Sequence, residues 1–270
     1  MYIYLFYFFV YAVLGWALEV LYHFTKYAKF INRGILNGPY CPIYAFGGLG
    51  ILLFVSNYTD SFWHVFLSAA LFGSILELVG GFLIDKIFNL RFWNYSDVPF
   101  NIGGYICLKF SLCWGLLGLF FINHIHPLIA KLSSLIPNII LKILVIIGFL
   151  MFMTDLIITI AELFGLKKLV SSLAKQKAIL KNISDNFGQN ITSGATKISK
   201  DIKVRKVNLE SKNDVIKAKY AEKLAEYKTR LSKIKEKLSY GVKRRFKVFP
   251  KLKSRDKDYN EVINEIKDNL

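Results

Sequence analysis

The chain reads as an all-α polytopic membrane helix bundle of about five transmembrane helices, followed by a cytoplasmic helical tail. Two observations predict this class. Hydrophobic residues make up 54% of the 270 residues, yet the formal net charge is +17. That charge is segregated, because residues 1–166 hold 8 Lys+Arg against 7 Asp+Glu and residues 167–270 hold 28 against 12. A nearly neutral apolar part is therefore joined to a strongly basic soluble part, a division that a single soluble globule does not show. The expected domains are a transmembrane bundle over 1–165 and a basic amphipathic and coiled-coil tail over 166–270.

A spanning helix needs about 20 mostly apolar residues. The stretches 2–24, 39–56, 62–84, 104–123 and 139–164 qualify. The first lacks a small-residue cleavage site and a preceding base, so it is expected to remain as an anchor and not to act as a removable signal peptide. The second and fourth have Gly, Pro and polar residues at their edges. Lys26, Lys29 and Arg33 follow the first span, Lys86 and Arg91 the third, and Lys167 and Lys168 the fifth. The alternate loops carry at most Lys131. The positive-inside rule then puts the N-terminus outside and the C-terminus in the cytoplasm of a cell (plasma) membrane.

The first and third spans share a Gly-x-x-x-Glu pattern, Gly15 to Glu19 and Gly73 to Glu77. Residues four apart share a helix face, so each glycine opens space on the side to which its glutamate points. A basic residue, a loop rich in aromatic and amide groups, and a cysteine follow each copy. This predicts a two-fold internal repeat of a two-helix unit. The loops contain Asn32, Arg33, Tyr40 and Tyr44 in the first copy and Arg91, Trp93, Asn94, Tyr95, Ser96 and Asn101 in the second. Gly34, Gly38, Pro39 and Pro42 exclude a continuous helix across the first loop. Irregular backbone at membrane depth is tolerated only when buried in protein or lining a wet cavity, so both loops are expected to fold back into the mouth of the bundle.

Asp155 lies within the fifth span and Glu162 near its inner end. Acidic groups within spans are costly and are functional candidates by default. Glu19, Glu77 and Asp155 could converge on one polar path with Arg33, Arg91 or Lys109. The competing reading is a set of structural ion pairs and helix-to-loop hydrogen bonds. Cys41, Cys107 and Cys113 are expected as thiols on or near a reducing side, either as packing residues or, for Cys41 and Cys107, as thiolate nucleophiles. His64, His124 and His126 lack the surrounding carboxylates or thiols of a metal site. The sequence calls for no metal and no cofactor. Asn57-Tyr58-Thr59 matches the glycosylation-acceptor pattern, a weak signal.

In the tail, Leu166, Leu169, Val170, Leu173, Leu180 and Ile183 interleave with lysines, as in a basic amphipathic helix on anionic headgroups. Asn186 to Gly194 reads as a break. Tyr220, Leu224, Tyr227, Leu231, Ile234 and Leu238 then step as a heptad, which could pair with itself, fold back or bind a partner helix. Gly241 ends it, and Lys243-Arg244-Arg245-Phe246-Lys247 follows. The tail's charge suits lipid headgroups better than nucleic acid.

Gly15-Trp16 with Glu19, Asn32-Arg33-Gly34, Gly38-Pro39-Tyr40-Cys41-Pro42-Ile43-Tyr44, Glu77, Phe92-Trp93-Asn94-Tyr95-Ser96, Phe100-Asn101, Ile106-Cys107-Leu108 and Trp114-Gly115 together resemble the putative ABC-transporter permease family, the CmpB-like integral membrane proteins. The resemblance covers roughly residues 1–165. It implies a membrane protein of about five spans with a role in transport, and it assigns no residue roles. The chain has no Gly-x-x-x-x-Gly-Lys-Ser/Thr phosphate loop, so a permease of this kind needs a separate ATPase subunit. Two other functions stand beside this one. The chain could be a scaffold recruiting partners or lipids through its tail, or an enzyme acting on lipid headgroups from the inner loops.

Overall fold

The computed structural model describes residues 2–54, 61–196 and 202–270. The chain divides into two compact units: Met1–Phe164 with Tyr240–Leu252, and Gly165–Ser239 with Lys253–Leu270.

In the first unit the apolar runs become helices. They are α1 (Tyr2–Tyr27), α2 (Pro42–Phe54), α3 (Phe62–Phe88), α4 (Leu108–Phe120), a π-helical turn (Phe121–Ile125), α5 (His126–Ser134) and the start of α6 (Asn138–Thr196). Among the described residues, four helical segments are long and apolar enough to cross a membrane: Tyr2–Thr25, Phe62–Phe88, Leu108–Ser134 and Asn138–Asn186. The chain is a multi-pass membrane protein. The second expected span forms a shorter apolar helix of 13 residues. At 1.5 Å per residue that is about 20 Å, against a hydrocarbon core of about 30 Å. Pro42 starts this helix because the preceding chain is turned into an irregular loop. Residues 55–60, with the Asn57-Tyr58-Thr59 pattern, lie outside the described residues. The fourth span is longer than the sequence reading of 104–123, since the helical run starts at Leu108 and continues through the π-turn to Ser134.

Helix ends follow local chemistry. Asn89 closes α3 in the left-handed conformation (φ 57°), a residue type that tolerates it. The loop after α3 holds a small antiparallel hairpin, β1 (Asn101–Ile102) and β2 (Ile106–Cys107), which an all-helical reading does not contain. Its turn needs positive φ at Gly103 (59°) and Gly104 (74°), which glycine adopts without a Cβ penalty.

α1 packs along α2, α2 along α3, and α3 along α4. One core joins Tyr7, Tyr11 and Ala12 of α1, Leu36 and Tyr40 of the first loop, Ala45 of α2, and Phe152 and Leu156 of α6. Another joins Ile51, Val65, Ala69, Leu119 and Ile122. α8 (Tyr240–Val248) also belongs to this unit, although it comes from the tail sequence. Val242, Phe246 and Val248 are buried there.

The second unit contains α6 beyond Gly165, α7 (Ile202–Lys237) and α9 (Lys257–Asp268). The expected break at 186–194 is absent, and α6 remains helical to Thr196. Two interior glycines cost only about 1 kcal/mol each relative to alanine, and no proline interrupts α6 after Pro137. The apolar side of the amphipathic segment is covered, with Leu166, Val170, Leu173 and Leu180 all buried. The heptad seam of α7 also turns inward at Tyr227 and Ile234. Tyr227 donates to Glu265 of α9, and Lys177 pairs with Glu261 at 2.6 Å and Glu265 at 2.8 Å. Burial, then the neighbouring Glu265 carboxylate, push the Tyr227 phenol well above its ordinary pKa, which keeps it a donor. Asp256 caps α9 by accepting from Asp258 N at 2.9 Å, and Val262, Ile263 and Ile266 form its buried face.

Candidate functional site

Each Gly-x-x-x-Glu helix receives an aromatic side chain from the next helix. A Cβ on Gly15 would strike the Tyr44 ring, and one on Gly73 would strike Trp114. The polar tips of the same two residues reach the glutamates. Tyr44 Oη donates to Glu19 Oε1 at 2.9 Å, and Trp114 Nε1 donates to Glu77 Oε2 at 3.2 Å. The glycine therefore makes room for the ring whose donor holds the carboxylate one turn away. The Tyr44 and Trp114 rings also meet, with centroids 5.3 Å apart, so the two copies join through them.

Glu77 is buried and takes a second bond at 2.8 Å from the Tyr95 hydroxyl. Burial, then the Glu77 charge, raise the Tyr95 phenol far above its ordinary pKa, so it donates at any physiological pH. Among the described residues, Glu77 makes no ion pair, and its two hydrogen-bond partners are neutral. Glu19 lies within electrostatic reach of it. Glu19's base, Arg33, stands 3.9 Å away, beyond hydrogen-bond distance.

Asp155, Asp85 and Glu162 of this unit have partners of their own. Asp155 accepts from the backbone of the first loop, from Asn37 N at 3.1 Å and Gly38 N at 2.7 Å. Asp85, which the sequence reading passed over, takes Arg91 Nε at 2.7 Å and Tyr105 Oη at 2.7 Å. Arg91 stacks over the Tyr105 ring at 4.4 Å and donates to Gly103 O. Glu162 pairs with Arg245 Nη1 at 2.7 Å.

Arg245 and Arg244 are the residues that sequence reasoning misplaced. The cationic run after Gly241 suits headgroups or solvent, yet both arginines are buried in the membrane unit. Arg244 donates to the carbonyls of Asn32, Gly34, Ile35 and Leu36, and Arg245 to Ile35 O and Thr159 Oγ1. Burial, then the adjacent Arg245 charge, bring Arg244 down to about 10, still charged at neutral pH. The first loop has no regular structure and many bare carbonyls, and a guanidinium fork satisfies several at once. The signal was the spacing of Val242, Phe246 and Phe249, an apolar face at helical period beside the two arginines. Phe249 also meets Phe92 of the second loop, with ring centroids 5.0 Å apart. The segment thus touches both loops.

The remaining candidates build the loops. Asn32 Oδ1 accepts from Trp16 Nε1 and Gly34 N, each at 2.9 Å, and its amide donates to Asn37 O. Tyr40 is buried against Phe152. Trp93 Nε1 donates to Tyr105 O, Ser96 Oγ to Asn94 Oδ1, and Asn101 Nδ2 to Val98 O. Asn94 is buried, while Ser96 and Lys109 are exposed. Cys41 and Cys107 are buried thiols. Tyr11 Oη and His126 Nδ1 lie 2.7 Å apart. No group of three or more metal-ligating side chains occurs among the described residues.

The structure therefore brings Glu19 and Glu77 together through Tyr44 and Trp114. It holds Asp155 on the first loop instead, and puts Arg91 with Asp85. A cavity of about 360 Å³ adjoins the Glu19–Glu77 pair, lined by Gly15, Tyr44, Gly73 and Trp114 together with apolar side chains of α1 to α4 and the π-turn.

Compared with known proteins, residues 6–160 match the model of a family described as putative ABC-transporter type IV. No curated protein and no solved structure matches the chain.

Proposed function

The chain belongs to the family described as putative ABC-transporter type IV, and from that premise we propose that it is the membrane-embedded permease of a transport system whose ATPase is a separate subunit. Glu77 carries this reading. It is a buried carboxylate in an apolar spanning helix, held by neutral donors and beside a second carboxylate. Asp85, by contrast, is offset by Arg91, and Asp155 is tied to the first loop by the backbone N–H groups of Asn37 and Gly38. In this reading Glu19 and Glu77 border the substrate path. Asp155, Asn32, Arg33, Tyr40, Arg91, Trp93, Asn94, Ser96 and Asn101 shape the two folded loops at its inner mouth. The shared Gly–aromatic–Glu geometry supports an internal duplication of the two-helix unit.

The test is co-purification from the native membrane. An ATPase subunit should accompany the chain, and its transport-coupled turnover in vesicles should fall with Glu77→Gln while expression persists. Unchanged turnover in that variant removes Glu77 from the path. We also propose that the short α2 crosses as a fifth span, which puts the N-terminus outside and the C-terminus inside a bacterial plasma membrane, with exposed tail lysines on anionic headgroups. A cysteine at Ser61 should then label from outside and one at Ser172 should not. The reverse pattern overturns this topology.

A further inference from the structure

The cavity beside Tyr44 and Trp114 has an unusual electrical setting. Its lining contains neither Lys, Arg, Asp nor Glu. Behind the two rings stand Glu19 and Glu77, with Arg33 as their one ion-pairing base among the described residues, 3.9 Å from Glu19. Both rings turn their only polar atom onto a carboxylate, so the groups they offer the cavity are ring carbons. Hydrogen-bond donation to an anion makes an aromatic ring more electron-rich, and such rings attract cations, most strongly where water is excluded. The wall contributed by Leu18, Leu21 and Phe120 is made of exposed side chains on apolar helices, so a ligand can arrive from the lipid. At the far side Tyr11 lines the cavity with its hydroxyl committed to His126. An acyl chain would satisfy the apolar wall and leave Glu77 held by neutral donors alone, with no cation to balance it.

We propose that this cavity binds a lipophilic organic cation, with its charge against the Tyr44 and Trp114 rings and balanced by Glu19 and Glu77 behind them. The inference deepens the transport reading by naming a substrate class, and it rests on that reading for what becomes of the bound cation.

The test is equilibrium binding of tetraphenylphosphonium to the purified full chain in nanodiscs, corrected for empty nanodiscs. Tetraphenylborate, nearly the same shape with opposite charge, serves as the control. Phosphonium should bind saturably and at least about tenfold more tightly than borate, the scale of a desolvated cation–aromatic contact. Glu77→Gln should weaken phosphonium by a similar factor. Leu18→Trp fills the cavity from α1 without touching a carboxylate and should also abolish binding. Equal affinity for the two ions, unsaturable phosphonium binding, or full binding by Leu18→Trp overturns the proposal. Saturable, charge-selective binding without any ATPase-coupled flux would leave the site standing and remove the transport reading instead.

Discussion

Arg245 and Arg33 carry the same charge and do different things. Arg245 is 1% exposed and lies 2.7 Å from Glu162, whose side chain is 15% exposed. Arg33 lies 3.9 Å from Glu19, with the two side chains 23% and 30% exposed. Removing one partner of a buried pair strands a charge and costs about 3–5 kcal/mol, whereas a loose, partly solvated pair contributes about 0–1 kcal/mol. Arg245→Leu should therefore destabilise the chain by about 3–5 kcal/mol in denaturant unfolding in detergent, and Arg33→Leu by under about 1 kcal/mol. Adding Glu162→Leu to the first variant should recover most of the loss, because an apolar pair can replace a buried ion pair. A double variant as unstable as Arg245→Leu alone would show that the guanidinium acts through the Ile35 carbonyl and Thr159 and not through Glu162. Glu19, Glu77 and Asp155 were legible in the sequence because an acid inside an apolar run stands out against its neighbours. Arg33, the base near Glu19, was among the candidates too, whereas two other ion pairs were not legible. Arg91's neutraliser, Asp85, sits at the end of a helix where a charge looks ordinary, and Arg245's partner lies 83 positions away.

At the scale of elements, periodicity and apolar length gave the helices and the irregular first loop. The hairpin after α3, the continuity of α6, and the helices α8 and α9 escaped them. The hairpin after α3 has only two residues in each strand, too few for alternation to register. Its readable sign was Gly103-Gly104 between Ile102 and Ile106, a glycine pair flanked by β-branched residues. The continuity of α6 was hidden because polar residues and glycines at 186–194 resemble a linker, while helix ending is decided by capping and by proline. The hairpin supports a graded prediction. Gly103 and Gly104 both hold positive φ, which costs an L-residue about 1–2 kcal/mol. A Cβ on Gly103 meets Tyr105 at 3.4 Å, an ordinary contact, whereas one on Gly104 strikes the Asn94 side chain and Ser96 Oγ. Gly104→Ala should thus lower the melting temperature clearly more than Gly103→Ala. Equal shifts would mean that the turn dihedral alone matters and that the Asn94–Ser96 contact contributes nothing.

For the whole molecule, the charge division does not give the path of the tail. Composition assigns 166–270 to one basic domain, and the structure returns Tyr240–Leu252 to the membrane unit. The apolar spacing of Val242, Phe246 and Phe249 marks the cationic run as a helix with a face to bury, but where it docks depends on carbonyls of a loop more than 200 positions upstream. The consequence is that the first loop should not hold its shape without the tail. Cys41 reports on this, since it follows that loop, is buried, and bonds through its backbone N–H to Ala12 O at 2.9 Å. With Cys107→Ala and Cys113→Ala as background, Cys41 should resist a membrane-permeant maleimide in the full chain. Truncation after Leu252 removes α9 and keeps Arg244, Arg245 and Phe249, so protection should persist. Truncation after Ser239 strips four loop carbonyls of their guanidinium and Glu162 of its ion pair, so labelling should accelerate severalfold. The full-length Arg244→Ala, Arg245→Ala chain should match the shorter truncation, which separates the two side chains from the loss of tail mass. If all three altered chains protect Cys41 as the intact one does, the loop is held by Asp155 and its own turns, and α8 is a passenger on a structure that the apolar half builds alone.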